Sequence, residues 1–303
     1  MSRAFSFLVN PISGGGAAPQ AVVPVARLLR DAGSVVEVTY SPGPQQCAAL
    51  VAAAVDRGDV VVSVGGDGML SSVAGHVSDR GGTLGIVPAG RGNDFARMLG
   101  IPGDVESIAR ILLDSEPVKV DLISFTLGDA PRRLVAGSVY TGVDAATAQL
   151  VDRVRWMPRR LQYPYAAVRS LASYTPVRAR VVVDGDAHDV VAATVVVANS
   201  AYYGSGMKIA PPASVTDGFL DVVVITAASR RAMIRAMPKV YDGSHVELDE
   251  VMLLRGRVVE ISGTPSAPMG ADGEPLGHLP PGGTTEAVAR IEAMPGVLTV
   301  LAP

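Results

Sequence analysis

Three stretches of this sequence place residue types suited to phosphate chemistry in a suitable order. Gly65-Gly66-Asp67-Gly68 follows the apolar run Val60 to Val64 and precedes a helical stretch. Glycines in such a loop leave backbone N–H groups free to converge on phosphate oxygens, and the dipole of the following helix adds favourable potential. A carboxylate there repels phosphate unless a cation intervenes, so Asp67 implies Mg²⁺ between itself and a nucleotide. The plain alternative is a tight turn in which Asp67 caps the helix. A second loop, Pro88-Ala89-Gly90-Arg91-Gly92-Asn93-Asp94-Phe95-Ala96-Arg97, follows Leu84 to Val87, and in it Asn93 or Asp94 could simply cap a helix. Phe5 to Val9 ends in Asn10-Pro11-Ile12-Ser13-Gly14-Gly15-Gly16, which alone is as well read as a turn. Far downstream stands Asp272-Gly273-Glu274. An alcohol attacking a γ-phosphate must lose its proton, and a carboxylate within hydrogen-bond reach can take it. A turn through Gly273 could aim one carboxylate at substrate and the other at metal, although in isolation the triplet reads as an exposed turn.

Such loops work only at strand ends. From Phe5 to Asp121 the pattern alternates: Phe5 to Val9, Val35 to Tyr40, Val60 to Val64, Leu84 to Val87 and Lys119 to Ile123 read as strands. Between them, Ala21 to Arg30, Gln46 to Val55, Leu70 to Val77 and Val105 to Leu113 read as helices. This β/α alternation predicts a Rossmann-like parallel sheet, whose ligand crevice lies beyond the carboxyl ends of its strands. After Asp121 come strand runs at Leu134 to Tyr140, Ala179 to Val183, Val190 to Ala198, Phe219 to Ile225 and Val251 to Ile261, interrupted by two helical patches. That pattern predicts an antiparallel sandwich, with Val297 to Leu301 returning to the first lobe. The division expected is an α/β nucleotide-binding lobe over 1–125 plus 290–303, and a β-sandwich lipid or substrate lobe over 126–289.

Taken together, Asn10-Pro11 with Ser13-Gly14, Gly65 to Gly68, and Gly92-Asn93-Asp94-Phe95-Ala96-Arg97 resemble the signature of the diacylglycerol kinase catalytic domain. Ile209-Ala210-Pro211 with Ala213, Asp217-Gly218 and Leu220-Asp221-Val222 resemble that family's second-lobe metal segment, and Asp272-Gly273-Glu274-Pro275 its catalytic turn. The resemblance implies an ATP-dependent lipid kinase that transfers the γ-phosphate to a lipid alcohol such as diacylglycerol. Under it, Thr39 and the loop Gly65, Gly66, Asp67, Gly68, Met69, Leu70 and Ser71 contact ATP, while Asn10 and Asn93 shape the crevice. It further implies Mg²⁺ held by Asp217 with the backbone carbonyls of Ser214 and Phe219, an acidic network of Asp67, Asp94 and Asp121, and Glu274 as general base beside Asp272. Two positions depart from the family: Met69 stands where a threonine is usual, and Arg91 where a small or hydroxyl residue is usual. Arg91 could replace the lost hydroxyl contact with a guanidinium on phosphate. These departures motivate a non-catalytic nucleotide- or lipid-binding module as one alternative, and the shared Gly-Gly-Asp-Gly loop motivates an NAD kinase-like enzyme as another.

Composition narrows the rest. Of 303 residues, 48% are hydrophobic and 18% charged, which suits two compact lobes. A net charge of -3 gives no overall attraction to nucleic acid. No Gly-x-x-x-x-Gly-Lys-Ser/Thr occurs, and neither Lys119, Lys208 nor Lys239 follows a phosphate-type loop, which excludes a P-loop enzyme. The lone Cys47 fits a reducing cytoplasm, and no targeting peptide or spanning segment is read. A lipid kinase must nevertheless visit the membrane. Arg153 to Leu161, with Trp156, Arg155, Arg159 and Arg160, and then Tyr163 and Tyr165, mixes cations and aromatics as a headgroup-contacting segment does, although a solvated connection between two helices with Trp156 partly packed reads the same way. The expectation is a cytoplasmic protein in transient, peripheral membrane contact, with a homodimer left open.

Overall fold

The computed structural model describes residues 3–40, 44–154, 156–281 and 288–303. Its first half runs β1 (Ala4–Val9), α1 (Ala18–Asp31), β2 (Val35–Tyr40), α2 (Pro44–Asp56), β3 (Val60–Gly65), α3 (Asp67–Asp79), β4 (Thr83–Pro88), α4 (Asp94–Met98), α5 (Val105–Asp114) and β5 (Pro117–Leu127). There follow β6 (Arg133–Val135), β7 (Ser138–Gly142), α6 (Val143–Arg153), α7 (Arg159–Ser173), β8 (Val177–Val183), β9 (Asp186–Ala198) and β10 (Leu220–Thr226). The chain ends with α8 (Arg230–Ala236), α9 (Lys239–Asp242), β11 (Val251–Gly256), β12 (Val258–Thr264), β13 (Pro268–Ala271), β14 (Glu274–His278) and β15 (Ala289–Leu301).

In the first lobe β2, β1, β3 and β4 lie side by side and parallel. β3 is buried along its whole length, as its unbroken Val-rich sequence requires of a strand covered on both faces. α1 packs there through Val22, Val25, Ala26 and Leu29, one stripe at helical spacing. The return at the C-terminus is present: Thr299 and Val300 of β15 pair in parallel with Thr83 and Leu84. That return displaces β5, which pairs antiparallel with β15 instead of continuing the parallel set. The second lobe is antiparallel, in the order β14-β13-β7-β9-β8-β12-β15, with β10 and β11 branching from β9. Mixed α/β architecture with an antiparallel β-sandwich lobe is therefore the fold, as the sequence pattern implied.

β5 and β15 serve both lobes. Leu298, Val300 and Leu301 complete the first core, whereas Ala289 and Ile291 of the same strand pack in the second. We accordingly place the boundaries at 125/126 and 289/290 as cuts through shared strands. Two single runs in the sequence prove to be pairs of strands. Leu134 to Tyr140 divides into β6 and β7 because the N–H groups of Ala136, Gly137 and Ser138 all donate to the Asp272 carboxylate. Val251 to Ile261 divides at Arg257, where Asp184 accepts the N–H groups of Arg257 and Val258, so β11 joins β10 while β12 joins β8 and β15.

Candidate active site

The carboxyl ends of β1, β3 and β4 bring the three glycine loops into contact. A Cβ on Gly90 would collide with the Cα of Gly66, so the second and third loops touch backbone to backbone. The Ser13 hydroxyl accepts the N–H of Gly66 at 3.1 Å, joining the first loop to the second. Asn93 adopts a left-handed φ of 53°, and its Oδ1 accepts the N–H of Gly90 at 2.8 Å. Asn10 holds its own turn by accepting the N–H of Ile12 at 3.1 Å. No side chain caps α3, whose first turn carries Asp67, so its leading N–H groups are left for a ligand at the positive end of the helix.

Acidic residues crowd behind these loops. Asp67 Oδ1 accepts the N–H of Phe95 at 3.2 Å, and burial pushes its carboxyl above the ordinary range. Asp94, only 6% exposed, accepts the N–H groups of Ser205 and Gly206 at 2.8 and 2.7 Å. Burial first, and the Asp67 charge second, raise Asp94 to about 6. The two carboxylates converge on Gly92, where a Cβ would stand 2.8 Å from Asp94 Oδ2 and 2.9 Å from Asp67 Oδ2. Asp272 accepts three N–H groups from residues 136–138 at 2.9 to 3.1 Å, and burial raises it to about 6. Glu274 is exposed and reaches the start of α3: a Cβ on Gly68 would lie 2.7 Å from its Oε1.

These groups wall a cleft of about 520 Å³, and of the residues given a role from sequence Asn10, Gly66, Asp67, Arg91, Asp94, Asp272 and Glu274 line it. The others do not. Thr39 pairs with Leu8 inside the sheet, and Leu70 is buried in the core. Ser71 accepts the N–H of Ala136, and Met69 lies back against Gly65. Gly65, Gly68 and Asn93 support the loops from behind the lining. Asp121 stands apart from Asp67 and Asp94, accepting the N–H groups of Gly218 and Gly296 at 2.7 Å each. Asp272 turns its carboxylate onto backbone rather than outward, which makes it an anchor for the turn that presents Glu274.

Two places were expected to hold Mg²⁺. Asp67 Oδ2 faces the cleft beside the uncapped helix, and Mg²⁺ is commonly held by one or two carboxylates plus substrate phosphates, so Asp67 fits that ion. Among the described residues no three His, Cys, Asp or Glu side chains gather to hold a metal by themselves. At the second place the carboxylate is already neutralised. Asp217 Oδ2 pairs with Arg255 at 2.6 Å, its Oδ1 accepts the Phe219 N–H at 3.0 Å, and Arg255 and Arg257 stack on the Phe219 ring at 4.6 and 4.8 Å. The Ser214 hydroxyl bonds Thr216. Asp217 and Phe219 thus flank the Arg255 guanidinium, and nearby Asp221 Oδ2 is buried without a hydrogen-bond partner among the described residues.

Sequence reasoning missed the wall opposite the loops. Tyr140, Asp144, Tyr202, Tyr203 and Ser205 line it, and only the glycine ending β7 before α6 hinted at a site there. The Tyr140 hydroxyl accepts the N–H of Gly273 at 3.1 Å, steadying the turn that carries Glu274. Asp144 and Tyr203 also line an adjoining, mainly apolar cavity of about 300 Å³ beneath α7, α8 and α9. The Thr194 hydroxyl lies 2.8 Å from the Thr141 carbonyl and 2.7 Å from Asp144 Oδ2. The hydroxyl has one proton for two acceptors, so it divides its donation between the Thr141 carbonyl and the Asp144 carboxyl. Burial pushes the Asp144 carboxyl upward, opposed by hydrogen bonds from Thr194 and Tyr203.

Arg91 reaches from the third loop to α7, donating to Gln162 Oε1 at 3.2 Å. On the outer face of α7, Leu161, Tyr165 and Val168 are 47%, 45% and 48% exposed at helical spacing, and Trp156 is 81% exposed just before it. Arg155 lies outside the described residues, as do the side chains of Arg159, Arg160 and Tyr163. Among the described residues no helix is long and apolar enough to cross a membrane.

Residues 4–125 match the model of the Diacylglycerol kinase catalytic domain, and residues 137–302 that of the YegS C-terminal NAD kinase beta sandwich-like domain. A diacylglycerol kinase of Mycobacterium tuberculosis (strain ATCC 25618 / H37Rv) is 34% identical over 300 residues, covering 98% of this chain and 94% of its own. A probable lipid kinase YegS-like protein of Stenotrophomonas maltophilia (strain K279a) is 27% identical over 273 residues, 86% of this chain and 84% of its own. The crystal structure of a diacylglycerol kinase from Bacillus anthracis str. Sterne superposes with a TM-score of 0.72 at 17% identity, covering 100% of this chain and 97% of that one, a likeness of fold.

Proposed function

Since the chain belongs to the diacylglycerol kinase catalytic-domain family and is a kinase, we propose that it transfers the γ-phosphate of ATP to the hydroxyl of a lipid such as diacylglycerol. The observation that carries this reading is the meeting of two unlike cavities at Asp144 and Tyr203: a polar cleft under glycine loops and an apolar one large enough for hydrocarbon. The loops of β1, β3 and β4 cradle the nucleotide phosphates with backbone N–H groups. Arg91 adds a guanidinium on the same side. Asp67 is the residue that would hold Mg²⁺, which when bound offsets phosphate charge.

Glu274 takes the proton of the lipid hydroxyl as its oxygen forms the new bond to the γ-phosphorus and the bond from that phosphorus to the ADP oxygen breaks. Asp272 holds the turn, and Tyr140 fixes Gly273 between the two carboxylates. The apolar cavity takes hydrocarbon of the substrate, and Asp144 at the junction offers an O–H or a lone pair to its polar end. The exposed Leu161, Tyr165 and Val168 favour a membrane-facing orientation for α7, whose replacement by Asp at 161 and 168 should lower retention on sedimented vesicles.

Purified protein incubated with labelled ATP, Mg²⁺, diacylglycerol, sphingoid bases and NAD tests the reading. Label extracted into organic solvent with diacylglycerol supports it. Transfer to NAD alone would replace it with an NAD kinase-like activity, and tight ATP binding without transfer to anything would remove it.

A further inference from the structure

A third cavity, of about 550 Å³, lies on the far side of α6, between that helix, the last turns of α7 and the segment before β13. None of its described lining residues is acidic, yet Arg153 and Arg169 both stand in its wall. Arg57, Arg180 and Arg290 each find a carboxylate on this molecule's surface. Arg153 and Arg169 have no side-chain partner among the described residues. With no carboxylate in the described wall, an anion entering this concavity meets positive charge from both α6 and α7.

The floor adds a second, independent sign. Ser170 is 6% exposed and lines the same cavity, and among the described residues its hydroxyl has no hydrogen-bond partner. A hydroxyl in a helix commonly satisfies itself on the carbonyl four residues back, as Ser173 does on Arg169 and the buried Thr147 on Val143. Ser170 does not, so its proton is available to a ligand. Thr175, also in the wall, likewise makes no side-chain hydrogen bond among the described residues.

We propose that this α6–α7 cavity is a phosphate-binding site separate from the catalytic cleft, with Arg153 and Arg169 gripping the phosphate oxygens and Ser170 donating from below. Planar guanidinium forks match phosphate geometry, and the volume admits a glycerophosphate group as well as a bare ion. The phosphate has two sources: a soluble phosphate, or the headgroup of an anionic phospholipid beside the exposed face of α7. Because α6 also supplies Asp144, an occupant here would steady a helix that walls the cleft.

The test uses the full chain with the cleft saturated by a non-hydrolysable ATP analogue. One arm titrates inorganic phosphate and glycerol 3-phosphate by calorimetry. The other measures co-sedimentation with vesicles of neutral phosphatidylcholine, alone or mixed with phosphatidylglycerol. Arg153→Gln with Arg169→Gln should abolish binding in whichever arm the wild type shows it, and Ser170→Ala should weaken it roughly tenfold by deleting one donor. Arg230→Gln with Arg231→Gln removes the same charge from α8 and controls for general attraction. Binding in the first arm assigns soluble phosphate, and binding confined to the second assigns the headgroup. Wild-type binding in neither arm overturns the proposal, as does equal loss in the α8 variant or no loss in the α6–α7 variant, with unchanged melting temperatures confirming that each variant is folded.

Discussion

The catalytic cleft and the apolar cavity adjoin at Asp144 and Tyr203, yet they are built by opposite means. The loop side of the cleft is local: glycines within a few residues of a strand end supply N–H groups, and two short Asn or Ser contacts lock them. Side chains hardly matter there beyond Asp67 and Arg91. The cavity is assembled from helices and strands spread over more than a hundred residues, and no short motif encodes it. The contrast teaches that the cleft is shaped by backbone at strand ends, whereas the cavity is shaped by side chains gathered through tertiary packing.

The largest effect should fall on chemistry itself. Glu274→Gln keeps the loops and deletes the base, so turnover should drop by roughly 10² to 10⁴-fold while ATP affinity is retained. Steady-state kinetics with nucleotide-binding calorimetry reads both. Activity within a few-fold of wild type would move the base elsewhere and leave Glu274 a bystander beside Gly68.

Next comes Asp272, which belongs to the cleft by position but works like a buried anchor. Its carboxyl rises from 3.8 to about 6 on folding, so the folded chain binds a proton that the unfolded chain does not between those values. Stability from this group is therefore lost as pH rises from about 4 to 6, by about 3 kcal/mol at most. Asp272→Asn loses backbone contacts and should be less stable throughout, but its denaturation midpoint should fall less steeply across that window. Parallel pH profiles for wild type and variant would show that Asp272 stays at its ordinary value.

Gly90→Ala attacks the local half of the comparison. The added methyl meets the Gly66 backbone, which cannot rotate away, so the loops must separate. A loss of about 1–3 kcal/mol in stability and a raised KM for ATP are expected, with KM for lipid nearly unchanged. Equal damage to both KM values would show that the two cavities are not separable as argued.

The same contrast explains what could be read beforehand. β1 to β4 and their helices were legible because apolar periodicity and glycine punctuation are local signals. The loop carrying Gly66 and Asp67 was legible for the same reason, whereas Arg91 and Glu274 stood out only through the family resemblance. The break of Leu134 to Tyr140 into two strands was not legible, since its cause is a carboxylate 136 positions away from Ala136. Arg255 beside Asp217 was equally hidden: the sequence offers an acidic segment, and only the register of β10 against β11 puts a guanidinium on it. Tyr140, Tyr203 and Asp144 carry no spacing signature because their partners lie on other strands.

Asp144 provides the finest test of the side-chain half. If it stands at the junction as a neutral acid, it donates to Thr194 and offers its other oxygen toward the substrate. Asparagine reproduces that pattern, with an N–H donor and a carbonyl acceptor of nearly the same shape. Asp144→Asn should therefore leave KM for the lipid within about threefold of wild type, and KM for ATP untouched, a difference under about 1 kcal/mol. Asp144→Leu, which cannot reach Thr194 with a polar atom, should raise the lipid KM alone by about tenfold, in line with the loss of a hydrogen bond at a buried site. A large loss in the Asn variant would mean that the residue acts as an anion, and the junction would then belong with the metal- and phosphate-handling side of the molecule rather than with the cavity.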